Sequence, residues 1–148
     1  MAETLREILL TPDTEPKVIA DTKTLIDQEL SDKSGVSATA LKLAYKTVTS
    51  FAPGYFNDTL RDMLPLIADK LEPFWEDFNT AGGSEFGDYL SKRGDEVSEA
   101  LLSVTDTMRE NSRRPVIIKA YNAVRGSARK HIEAALPRLG DLVMKYAS

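Results

Sequence analysis

From Leu5 to Tyr146 the apolar residues recur three or four positions apart, and no segment shows the β-branched, strictly alternating pattern of a half-buried strand. That spacing gathers them on one face of a helix, and each such face needs another to cover it. The chain is therefore expected to be all-α, a single-domain bundle of about six to eight helices over 1–148. Its 148 residues suffice for one core. With no cysteine, disulfides, thiolate metal sites and cysteine nucleophiles are excluded.

Punctuation along the chain divides the pattern. A short helix around Leu5, Ile8 and Leu9 ends at "TPDTEP", and Pro16 suits the first turn of the next, where a missing N–H costs nothing. That second helix presents Val18, Ile19, Thr22, Leu25, Ile26 and Leu30, with Gly35 expected as its left-handed C-terminal residue. Ser37 is expected to cap a third, whose inward face is Leu41, Ala44, Tyr45 and Val48. Pro53-Gly54 breaks it. The pattern resumes at Tyr55 and meets Pro65, which must start a new helix or kink the existing one, before running to the loop "NTAGGS". Ser84 is expected to cap a short turn bearing Phe86, Tyr89 and Leu90. Val97 to Met108 form a longer helix, Pro115 starts the last long one, and Pro137 is expected to start a terminal one.

Two stretches echo each other. "KLAYKTV" at Lys42–Val48 matches "IKAYNAV" at Ile118–Val124, sharing Ala44-Tyr45 with Ala120-Tyr121 and Val48 with Val124. Downstream, "MLPLIADKL" and "ALPRLGDLV" align Leu64-Pro65 with Leu136-Pro137 and Asp69 with Asp141; upstream, Val18, Leu25 and Asp27 align with Val97, Val104 and Asp106. The offset between the first two blocks changes by four residues, about one helical turn, at "SFAPGYF". The second copy is thus expected to be one continuous helix where the first is broken. The pattern points to two pseudo-symmetric units from an internal duplication, approximately 13–79 and 84–148, against chance similarity among Ala- and Leu-rich helices.

Charge is uneven. Met1 to Met108 carry 10 Lys and Arg against 20 Asp and Glu, whereas Arg109 to Ser148 carry 9 against 3. The basic side chains Arg113, Arg114, Lys119, Arg125, Arg129 and Lys130 form one candidate anion-binding surface, for nucleic acid or acidic lipid. Against that stand the lack of interleaved aromatics and of a groove-reading motif, and the acidic half that could neutralise it. A second candidate is "LEPFWEDFN", where Phe74, Trp75 and Phe78 lie beside Glu72, Glu76 and Asp77, either as a partner-binding surface or as a helix-end plug in the core. His131 is the sole histidine and falls on the buried side of its helix; no Glu-x-x-His occurs. "AGGSEFG" lacks the Gly-Lys-Ser/Thr ending of a phosphate-binding loop and reads as a connection. No catalytic set, metal site or cofactor is expected.

Taken together, "LLTPDTEPKVIADTKTLIDQELSDKSGVSATALKLAYKTV", "LEPFW", "FGDYL", "DEVSEALLSVTD" and "ALPRLGDLV" resemble a family of small bacterial all-helical proteins, a domain of unknown function. The resemblance covers nearly the whole chain; it implies a helical bundle and carries over no catalytic residue. Without a signal-like N-terminus or a transmembrane segment, a cytoplasmic location is expected. The expected function is a non-enzymatic protein-interaction or scaffold domain whose partner is a protein, a second copy included. The alternative is the anion-binding module. A third reading, an enzyme or small-ligand carrier with a pocket between the two units, requires a cavity that a sequence does not display.

Overall fold

The computed structural model describes residues 4–33 and 35–147. Thr4 starts the first helix through a reciprocal cap: its hydroxyl accepts from the Glu7 N–H at 3.2 Å, and the Glu7 carboxylate accepts from the Thr4 N–H at 3.1 Å. Seven helices follow in order, with no strand among the described residues: α1 (Leu5–Leu9), α2 (Glu15–Asp32), α3 (Val36–Thr49), α4 (Tyr55–Ala81), α5 (Phe86–Lys92), α6 (Gly94–Asn111) and α7 (Pro115–Ala147). The all-α bundle predicted from apolar spacing is the observed class. Among the described residues no helix is long and apolar enough to cross a membrane.

Four local expectations are corrected. Gly35 has a positive φ of 100° but an extended ψ, so it leads into α3 rather than closing α2 in the left-handed region. Ser37 lies inside the first turn of α3, and Glu85 rather than Ser84 precedes α5, neither helix having a side-chain cap. Pro65 and Pro137 do not start helices; each sits in the interior of one, as Pro73 does. A proline inside a helix costs roughly 3 kcal/mol through its lost hydrogen bond and ring clash. Burying one leucine or phenylalanine returns about 1.5–3 kcal/mol. With Leu64, Ala68, Leu71 and Phe74 around the first two prolines and Leu136 and Val143 around the third all buried, packing outweighs propensity.

The break between α3 and α4 at Ser50–Gly54 has no counterpart in α7, which runs on from Pro115 to Ala147 as the four-residue change of offset predicts. α1 packs on α4 beyond Pro65, where the Leu5 N–H donates to Glu72 at 2.7 Å and Arg6 pairs with Asp69. α5 packs on α7 beyond Pro137, and so closely that a Cβ added to Gly140 would lie 2.2 Å from the Gly87 backbone. α1 and α5 are thus both short helices packed on a long one.

The solid core joins those two ends. It contains Leu5, Ile8 and Leu9 of α1, Val18 and Ile19 of α2, Leu60 to Phe78 on the inner face of α4, Phe86 and Leu90 of α5, Val97 and Leu101 of α6, and Leu136 and Val143 of α7. Nothing from α3 belongs to it. On α3 only Ala38 is buried, although Leu41, Ala44, Tyr45 and Val48 have the spacing of an inward face.

Candidate functional site

Opposite the inner face of α3 lies the first half of α7, offering Ile117, Ile118, Ala120, Tyr121 and Val124. Between them is a cavity of about 800 Å³, lined also by Tyr55, Phe56 and Met63 from α4 and by Thr105 and Met108 from α6. It is larger than three other pockets, of about 350–420 Å³, which are lined mainly by polar and charged side chains. Both copies of the echoed heptapeptide line it, Ala44, Tyr45 and Val48 from one side and Ala120, Tyr121 and Val124 from the other.

The two tyrosines are tied down in matching fashion. Tyr45 donates to Asp27 of α2 at 3.0 Å, and Tyr121 donates to Asp106 of α6 at 2.5 Å. Burial first, and the aspartate second, push the Tyr45 phenol up to about 12; the same causes raise Tyr121. Both hydroxyls therefore keep their protons and remain donors. Arg125, by its forked hydrogen bonds first, and Tyr121 hold Asp106 below the usual aspartate range, so the acceptor stays charged. These links anchor the rings that form the two side walls.

One rim of the cavity is cationic. Arg109, Arg113 and Arg114 line it, against the single carboxylate of Asp62. The Arg114 guanidinium lies 5.1 Å from the Phe51 ring centre and 5.3 Å from that of Tyr55, held by cation–π attraction. Arg109 reaches Asn122 at 3.3 Å through Nη1, while its Nε is buried without a hydrogen-bond partner.

The expected site residues separate into three groups. Arg113 and Arg114 stand at this rim. Arg125 grips Asp106, Arg129 pairs with Glu99 at 3.3 Å and donates to the Asp95 carbonyl at 2.9 Å, and Lys130 donates to Ser37 at 3.3 Å, while Lys119 is exposed outside the cavity lining. With Arg138 on Glu29 and Asp32 and Lys145 on Asp21, the basic tail folds against the acidic head, so much of the charge asymmetry is used within the chain. Phe74, Trp75 and Phe78 are corrected from candidate surface to core: they are 8, 5 and 3% exposed, Trp75 and Phe78 meet Phe86 of α5 edge-on and tilted, and Phe74 lies under the Arg93 guanidinium. Glu72 caps α1 and Asp77 pairs with Arg93. Sequence reasoning missed Arg109, whose only signal was its place in the basic tail, and Phe51 and Tyr55, which lay at the helix break.

His131 is buried, as its position on the helix predicts, and lies away from the cavity. Burial first, then Lys33 and Lys130, hold its pKa below the ordinary histidine value, with Glu29 opposing. The native state thus takes up this proton less readily than the unfolded chain. Stability is present above the unfolded value of about 6.5 and is lost as pH falls through the native one. Urea unfolding should show wild type weakening between about pH 7 and pH 5, and His131→Met weakening less over the same interval. Equal slopes in the two proteins would dismiss this role for His131.

A family model described as a family of unknown function (DUF6918) matches residues 5–147. The chain belongs to that family. No curated protein and no solved structure matches it. Family membership assigns no activity, so what this member of the family does has to be argued from the cavity, its rim and its two anchored tyrosines.

Proposed function

We propose that this domain is a binding module that holds one small apolar or amphiphilic molecule between α3 and α7, within two helical units derived from a duplication. The observation that carries the proposal is the pair of opposed apolar faces: both have core periodicity, yet between them they bury only Ala38 of α3 and Val124 of α7. Apolar surface left facing a cavity of about 800 Å³ fits the range of roughly 300–1,000 Å³ that holds one drug-sized ligand. The echoed heptapeptide supports a duplication, since its two copies form opposite walls and each ties its tyrosine to an aspartate of the preceding helix. The expected protein-contact surface has less to rest on, because its aromatic cluster is core and much of its charge is internally paired.

Two small residues face the cavity from opposite sides, Ala44 and Ala120. Replacing either with Trp should fill the space and weaken binding of the neutral fluorophore N-phenyl-1-naphthylamine at least tenfold, with helical circular dichroism unchanged. No saturable binding by wild type, or unchanged affinity in both folded variants, would count against the module.

A further inference from the structure

The cavity is apolar along its walls and cationic at one rim, and that division specifies a ligand with the same division. We propose, resting on the binding-module reading, that the ligand is a single-chain amphiphile with a carboxylate head: its chain lies between α3 and α7 and its head meets Arg109 and Arg114.

Three observations carry this. Arg109 lines the cavity, with Nη1 donating to Asn122 at 3.3 Å, and its guanidinium there is a charge-assisted donor for a carboxylate head. Arg114 is held over Phe51 and Tyr55, whose ring centres are 5.0 Å apart, so both rings lie to one side of its guanidinium and the side chain stays exposed at the rim. Arg113 adds a third positive charge, against Asp62 alone on the lining; Asp106 lies next along α6 but is held by Arg125 and Tyr121.

The walls set the tail. Leu41, Val48, Ile117, Ile118, Met63 and Met108 have no side-chain hydrogen bond to offer, so hydroxyls or amides set against them would lose their water without replacement. A hydrocarbon chain loses nothing there and removes apolar surface from water on both sides. The thioether side chains of Met63 and Met108 adapt to chains of differing shape. The volume suits one such molecule.

The test is calorimetric titration of the full chain with dodecanoate, 1-dodecanol and dodecyl phosphate, each below its aggregation limit, at low salt. Dodecanoate should bind at least tenfold tighter than dodecanol. Arg109→Met, which keeps the apolar stem, and Arg114→Met should each remove most of that preference while leaving dodecanol affinity unchanged, and Asp62→Asn should strengthen dodecanoate binding severalfold. Equal affinity of wild type for acid and alcohol would overturn the headgroup assignment and leave the cavity reading standing. So would a preference that survives in both arginine variants, or dodecyl phosphate binding more than tenfold tighter than dodecanoate. Failure of all three probes to bind would overturn the cavity reading itself.

Discussion

Phe86→Ala is expected to lower the unfolding free energy by about 3–5 kcal/mol, the usual cost of deleting a buried aromatic ring. Phe86 is 0% exposed and sits where α5 meets α4, edge-on to Trp75 at 5.0 Å and tilted against Phe78 at 5.1 Å. Removing it takes away the transfer energy of the ring, its contacts with both neighbours, and the plug between the two halves. A small domain has only about 5–15 kcal/mol in all, so the loss is a large fraction of the total. Trp75, the sole tryptophan and 5% exposed, is the reporter: its emission should shift to longer wavelength at much lower urea in the variant. Val48→Ala is the control. Val48 faces the cavity and belongs to no packed cluster, so its truncation should cost well under half as much. Equal costs for the two would mean that the molecule has no solid and hollow ends.

Gly140→Ala should destabilise by about 1–3 kcal/mol or more, while Gly126→Ala should stabilise by about 0.5–1 kcal/mol, although both lie inside α7. The sign is decided by what the new methyl meets. At Gly126 nothing lies within 4 Å, so only the helix preference for alanine remains. At Gly140 the added carbon would stand 2.2 Å from both the Cα and the N of Gly87 and 2.8 Å from the Phe86 carbonyl carbon. Those are backbone atoms, so no rotamer change relieves the overlap and α5 must move off α7. Gly87 is tight in the same way, a Cβ there falling 2.7 Å from the Pro137 carbonyl oxygen. Thermal unfolding of the two variants, read against wild type, should give shifts of opposite sign. Shifts of the same sign would show that helix propensity, not the α5–α7 contact, governs both positions.

Several elements of the fold were legible one segment at a time. Val18, Ile19 and Leu30 of α2 read as an inward face and are buried, because a 3.6-residue repeat leaves an apolar stripe no other side to occupy. The prolines were harder. Local preference argues for a helix end at Pro65 and Pro137, and only the density of buried neighbours on both sides carries the helix through. The aromatic run "LEPFW" had two readings from sequence, and the position of α5 chose between them. The basic stripe of α7 was likewise visible, but not the acids of α6 that claim Arg125 and Arg129.

The candidate site was half legible. Leu41, Ala44, Tyr45 and Val48 were read as an inward face, and that is where they point; Ala120, Tyr121 and Val124 were matched to them through the heptapeptide echo. By itself, then, the sequence determined the helical class and the side of each helix that shuns water, since both follow from periodicity within a single segment. Only the tertiary structure decided how far apart two such faces stand. That separation is set remotely. At one end of α7 Gly140 lets α5 approach to backbone contact; about 29 Å away along the same helix, at 1.5 Å per residue, Tyr121 borders a cavity instead of a neighbour. Periodicity records direction, whereas spacing depends on every contact that holds the helices elsewhere. That is why a face written for burial here becomes the wall of a site.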